Sequence, residues 1–289
     1  MKKIIDVSEH NGVVDFEKVK NTGITDVIIR IGWIGNKENH TLDKKFKANY
    51  NKAKKLGFNI GFYVYSYCTS VNTILQGALW TFEQIKDLKF NLPIFLDLED
   101  KTIAKLGKEE LTMHAKQFCE YMERQGRNIG QRFLTGVYAS KDWFTNKLNT
   151  KELLDFKIWL AEWNGKENHT FKYKVDLWQY TDVGKVDGIK GNVDISKCMC
   201  DCVENVDKNV ENVEKSQKGV FEVAKVYQNG STPETVYADS NLTIKVGELN
   251  KFEKCDCLGI VKKSYIVKYK VNNKDNYKVG FVKYHGGVK

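Results

Sequence analysis

No run of apolar residues in this chain approaches the ~18–20 that carry a helix across a bilayer, so insertion into a membrane is not expected. The opening stretch, MKKIIDVSEHNG, starts basic, but its apolar run ends at Asp6, short of the roughly 7–15 residues of a secretory core. The expectation is a protein made, with its thiols kept reduced, in the cytoplasm. Metal-ligand spacing is missing as well. His10, His40, His114, His169 and His285 are scattered along the chain, so neither a metal nor a cofactor is expected. The cysteines offer no zinc motif: Cys198, Cys200 and Cys202 stand in CMCDC, and Cys255 and Cys257 in CDC. Ligands that converge on one tetrahedral ion favour about two to four intervening residues. A single-residue spacer in a strand instead puts both sulfurs on one face as small apolar fillers. A basic arm is absent too. The formal charge of +9 is spread evenly, with 31 basic against 25 acidic residues up to residue 200 and 15 against 12 beyond. That even spread argues against a nucleic-acid partner, while the net sign favours a polyanionic one.

What is present is a chain of 289 residues with 42% apolar and 29% charged side chains, enough for one large core and a smaller one. Short apolar runs recur at residues 3–8, 26–33, 59–67, 92–99, 134–140, 157–163, 176–180 and 191–196. Continuous apolarity of this kind suits parallel strands covered on both faces. Between several of them lie helical patterns. After Gly107, the acidic Glu109 and Glu110 suit a helix N-terminus, Leu111, Ala115, Phe118 and Met122 form a stripe at helical spacing, and Gly126 reads as a stop. Residues 46–57 behave similarly, ending at Gly57. Eight strands with interleaved helices predict an α/β barrel of TIM type, irregular because the connection around residues 181–190 is too short for a helix.

The character changes near residue 201. In residues 201–219, Val203, Val206, Val210 and Val213 are spaced like a short helical seam. Two readings stand side by side there, a solvated linker and a weak homodimer contact. Beyond it, alternating runs broken by turns predict a small all-β barrel over residues 220–289.

The run LPIFLDLED, residues 92–100, ends in three carboxylates within four positions. Ionised groups beside a dry core cost free energy unless they are paired, so a strand end of this kind calls for a function. At the C-terminal end of a barrel strand, side chains two apart point together into the mouth. Asp97 and Glu99 therefore stand side by side, with Leu98 facing the helices. Repulsion and partial drying should raise one pKa of the pair into the range of a general acid. This is the carboxylate logic of glycoside cleavage. Asp6 ends the first run and Asp194 lies in the last. First and last strands of a closed barrel are neighbours, so Asp6, Asp97, Glu99 and Asp194 are expected at one mouth. Trp33, Tyr63, Tyr65, Tyr138, Trp163 and Trp178, at matching strand ends, would offer flat surfaces to sugar rings.

In their order, DVSEHNGVVDF, GFYVYSY, FLDLED, GVYAS, IWLAEW and LWQYTDVGKVDGIKGNVDIS resemble glycoside hydrolase family 25, the N-acetylmuramidases of phages, bacteria and fungi. The likeness spans about residues 1–197. It implies an irregular, flattened α/β barrel and hydrolysis, with retention, of the β-1,4 bond between N-acetylmuramic acid and N-acetylglucosamine in peptidoglycan. By motif it makes Glu99 the catalytic acid and Asp97 its companion, with Asp6 and Asp194 completing the catalytic set. Ser196 replaces the asparagine common in the closing motif. Residues 220–289 resemble the bacterial Src-homology-3-like modules appended to wall hydrolases, notably of clostridial phages. Their excess of 12 basic over 7 acidic residues from 219 onward suits an anionic wall polymer. Tyr265, Tyr269, Tyr277 and Tyr284 are expected there as exposed candidate contacts.

The expected organisation is thus a catalytic domain over residues 1–200, a linker over 201–219 and an SH3-like wall-binding domain over 220–289. The absent leader fits a phage endolysin that waits in the host cytoplasm for a holin before it reaches the wall. A host autolysin and a non-catalytic wall-binding protein are the alternatives. A chitinase on a similar barrel would need a longer D-x-x-D-x-D-x-E run, which residues 90–99 lack.

Overall fold

Each of the eight apolar runs in the first two-thirds of the chain forms a strand in the structure, a computed structural model. It describes residues 2–36, 39–199, 225–237, 242–243, 245–261, 264–270 and 277–283. The strands are β1 (Lys3–Val7), β2 (Asp26–Ile34), a two-residue β3 (Thr41–Leu42), β4 (Asn59–Ser66), β5 (Ile94–Asp97), β6 (Thr135–Ser140), β7 (Lys157–Ala161), β8 (Leu177–Gly184) and β9 (Val193–Cys198). They are ordered β1-β9-β8-β7-β6-β5-β4-β2-β3, and a further β1–β2 pairing closes eight of them into a barrel. Seven barrel strands run parallel, while β9 runs antiparallel to both its neighbours, β1 and β8. This corrects the all-parallel expectation. Parallel neighbours need a crossover of about a dozen residues or more. The eight residues between β8 and β9 allow only a hairpin-like return.

Helices α1 (Phe16–Asn21), α2 (Phe46–Lys55), α3 (Val71–Ile85) and α4 (Lys108–Asn128) cover the outside. Ser70 caps α3 by accepting from the Thr73 amide, while the Thr73 hydroxyl answers the Ser70 amide. In α4 the expected stripe is buried. Its stop is later than Gly126, which lies inside the helix. A Cβ there would meet Phe133 Cγ at 2.8 Å, so this glycine serves close packing, and the chain turns at Gly130 with φ 70°.

Alternation divides the core in two. Ile94, Leu96 and Leu98 face the helices, whereas Phe95, Trp159, Tyr138, Ile4, Ile28 and Leu177 fill the barrel interior. Cys68 and Cys119 are buried thiols. Cys198, at the end of β9, is disulfide-bonded, which departs from the expectation of reduced thiols; its partner lies outside the described residues.

The later residues form a six-stranded antiparallel sheet of β10 (Lys225–Gln228), β11 (Glu234–Tyr237), β12 (Lys245–Leu249), β13 (Lys254–Val261), β14 (Ser264–Lys270) and β15 (Tyr277–Lys283). Their order is β10-β13-β14-β15-β11-β12. Cys255 and Cys257 are both buried thiols on one face of β13, as their spacing predicts. Tyr265 and Tyr269 are also buried, so they are core residues here and not the exposed contacts expected. Tyrosine in a strand packs its ring inward as readily as it displays it. Ile266, Val279 and Phe281 join the buried cluster around the barrel, and α3 packs against β15. The valine seam, the Tyr277 side chain and Tyr284 lie outside the described residues. Among the described residues no helix is long and apolar enough to cross a membrane.

Candidate active site

Asp6, Asp97, Glu99 and Asp194 come from three strands, and the fold turns them into one hollow. Asp6 of β1 sits opposite Asp194 of β9 in the strand register. Asp97 closes β5 and lies level with Tyr65 of β4 and Tyr138 of β6. The Leu98 amide continues the ladder by donating to the Tyr138 carbonyl at 3.0 Å. That extra bond keeps the chain extended, so Leu98 turns out to the helices and Glu99 follows Asp97 into the mouth.

The electrostatics show the convergence. Burial drives Asp6 well above the ordinary carboxylate range, and the charges of Asp194 and Glu99 push it further. Asp97 is 3% exposed, and its Oδ1 has no hydrogen-bond partner among the described residues. Burial raises its pKa strongly, with Glu99 and Asp6 adding to the rise and Arg30 opposing it. Glu99 is reached by solvent, yet protein surrounds it within the hollow. That partial drying raises its pKa, and Asp194 and Asp100 add repulsion. Asp194 is raised to about 6 by burial and by Asp182, while a hydrogen bond from Asp6 holds it down. Two carboxyls so placed titrate together, and Asp6, the more deeply buried, is the one burial pushes further up. Asp100 differs: despite some burial, the Thr102 hydroxyl and amide and the Tyr65 hydroxyl keep it below its usual value.

The predicted aromatic residues divide. Tyr138 lies inside the barrel with its ring 4.7 Å from that of Trp159. Tyr63 packs edge-on to the same indole at 6.0 Å. Tyr65 donates to Asp100 Oδ2 at 3.1 Å. Trp163 stands at the rim, 55% exposed. Trp33 is half-buried at the end of β2, edge-on to Tyr67 at 5.5 Å. Trp178 does not join them. It is fully buried on the outer face of β8, and its Nε1 donates to the Glu162 carbonyl at 2.9 Å. The same alternation that sends Asp97 inward sends this residue outward. His10 is exposed in a short turn, where its amide donates to Ser8 Oγ.

Three residues at the site escaped the sequence reading. Gln179, inward on β8, donates from Nε2 to Asp6 Oδ2 at 3.1 Å. Trp159 floors the hollow, its Nε1 donating to Ser196 Oγ at 2.9 Å. Arg30 is held by Asp43 at 2.7 Å and Glu9 at 3.0 Å, close enough to temper Asp97. Inward alternation along LWQY and KIWLA was the available signal for the first two. Ser196, where the closing motif departs from its common form, holds an indole inside the barrel.

The family model described as glycosyl hydrolases family 25 matches residues 5–189, a span that includes Asp6, Asp97 and Glu99 and stops short of Asp194. The autolytic lysozyme of Clostridium acetobutylicum is 29% identical over 199 residues, covering 68% of this chain and 55% of that protein. The modular autolysin LytC of Streptococcus pneumoniae, solved in complex with a synthetic peptidoglycan ligand, superposes with a TM-score of 0.58 at 27% identity. That match covers 68% of this chain and 46% of LytC. The CTP1L endolysin superposes with a TM-score of 0.54 at 25% identity, covering 68% of this chain and 66% of that one. The chain thus spans about half the length of the first two relatives.

Proposed function

The chain belongs to the glycosyl hydrolases family 25, and we propose that it hydrolyses the β-1,4 bond between N-acetylmuramic acid and N-acetylglucosamine in bacterial peptidoglycan. The observation that carries this reading is the meeting of Asp6, Asp97, Glu99 and Asp194 in one hollow. Glu99 is the acid. It is the most open to solvent of the four, and its raised pKa lets it hold a proton where an ordinary glutamate has lost one. It protonates the leaving oxygen and then, as a carboxylate, takes a proton from the attacking water. Asp97 offers Oδ1, which lacks a partner among the described residues, to the substrate's acetamido group. Asp194, the acceptor in its pair with Asp6, supplies negative charge to the oxocarbenium-like state. Tyr63, Tyr65, Tyr138, Trp163 and Trp33 line the approach for sugar rings.

Glu99→Gln keeps the shape and removes the proton. It should lower the clearing of purified walls by about 10²–10⁴-fold, with an unchanged far-ultraviolet circular dichroism spectrum. A folded Gln variant that clears walls at the wild-type rate contradicts the assignment, and walls bound but never cleared by the wild type would make the protein a non-catalytic binder.

The wider reading is an endolysin with residues 1–200 catalytic, 201–219 linking, and 220–289 an SH3-like wall-binding unit. Likeness to the CTP1L endolysin supports the role, and the separate antiparallel sheet supports the organisation. Such an enzyme stays in the host cytoplasm until a holin opens the membrane. Cells expressing it should remain intact until permeabilised; lysis without permeabilisation contradicts this.

A further inference from the structure

Gln179 is 2% exposed and touches three residues of the hollow. Its Oε1 accepts from the Tyr138 hydroxyl at 3.0 Å and from Trp163 Nε1 at 3.2 Å, and its Nε2 donates to Asp6 Oδ2 at 3.1 Å. An indole nitrogen only donates, so the oxygen of the amide must face Trp163 and the nitrogen must face Asp6. The orientation of this amide is therefore fixed by its neighbours.

We propose that Gln179 is a positioning residue: clamped by Tyr138 and Trp163, its amide occupies Asp6 Oδ2 and turns the other oxygen of Asp6 toward Asp194. This rests on the hydrolytic reading above and adds to it the device that keeps Asp194 the charged member of the pair. The clamp reaches the surface, because Trp163 stands at the rim with its ring exposed and its N–H engaged below. One indole thus meets the substrate and braces the buried amide.

The groups facing the Asp6–Asp194 pair come from several strands. They are Tyr63 of β4, Asp97 and Glu99 at the end of β5, Tyr138 of β6 and Asp182 of β8, with Arg30 of β2 acting on Tyr63 and Asp97 beside them. Only Arg30 among these is a cation, and it is already held by Glu9 and Asp43. The hydrogen bond from Asp6 lowers the Asp194 pKa. If the amide is removed, Asp6 is free to turn, that bond weakens, and Asp194 takes up its proton at higher pH.

The test is Gln179→Leu in the full chain, read by carbon-13 NMR of labelled aspartate carboxyls and by the pH profile of wall clearing. The Asp194 midpoint should rise by about half to one pH unit, the size of one hydrogen bond's effect. The activity optimum should move up with it. Trp163→Phe keeps one aromatic ring for stacking and removes the N–H together with the second ring of the indole, so it should shift the midpoint the same way by less. An unmoved Asp194 midpoint in folded Gln179→Leu overturns the proposal. If Gln179→Leu does not fold, an unmoved midpoint in both Trp163→Phe and Tyr138→Phe does so instead. The NMR titration needs no activity, and loss of clearing in Glu99→Gln tests the hydrolytic reading separately.

Discussion

His114 on α4 is fully buried, and neither ring nitrogen has a hydrogen-bond partner among the described residues; Glu110 lies 3.9 Å away. Burial lowers its pKa to about 4. An unfolded histidine titrates near 6.5, so between those values the unfolded chain binds a proton that the folded one refuses. Stability should therefore fall as pH drops from about 6.5, and the loss should be complete below about 4. By about pH 5 the loss is of order 2 kcal/mol. Asp6 and Asp97, raised by burial, act in the opposite direction, and comparison with His114→Phe cancels them. Urea unfolding at about pH 7 and about pH 5 should show a smaller loss in the variant; equal losses contradict it. At this scale the sequence was informative where a residue's type and its parity agreed. Asp97 and Glu99 were legible because D-x-E in a strand puts both on one face. Trp178 departs from the expected set because its parity on β8 points it outward, and Gln179 gives no sequence signal because an amide carries none until its partners are known.

The strands were legible from their apolar runs, and their closure into a barrel followed from number and order. The reversed direction of β9 was less legible, since composition is the same whichever way a strand runs. What decides it is the eight-residue return from β8. The reversal has a consequence for the site: Asp194 lies near the start of its strand and still reaches the mouth where Asp6 lies near the end of its own. Packing between strands is equally specific. A Cβ on Gly136 of β6 would lie 2.3 Å from the Lys157 carbonyl oxygen and 2.6 Å from Phe95 Cε1. Neither the β7 backbone nor the interior ring can yield cheaply. Gly136→Ala should cost about 1–3 kcal/mol, read as a lowered thermal midpoint; an unchanged midpoint contradicts this packing.

The whole molecule joins two sheets through apolar surface. Tyr121 of α4 feels the charge of Asp256 in β13, and Ile266, Val279 and Phe281 share the barrel's outer cluster. The alternation along β14 and β15 was legible in sequence, but no local pattern revealed that one face of this sheet packs on the helices. Phe281 is 1% exposed, so Phe281→Ala should destabilise the protein by about 3–5 kcal/mol. Calorimetry should show the barrel's transition moving too; an unmoved barrel transition would mean that the contact carries no coupling. Over that joined frame, the central claim is that four converging carboxylates cut one bond of the wall. Mass spectrometry of borohydride-reduced fragments, released from a defined peptidoglycan, tests it most directly. New reducing ends on muramic acid, absent with Glu99→Gln, are expected; fragments cut at an amide, or reducing ends on glucosamine, would contradict it.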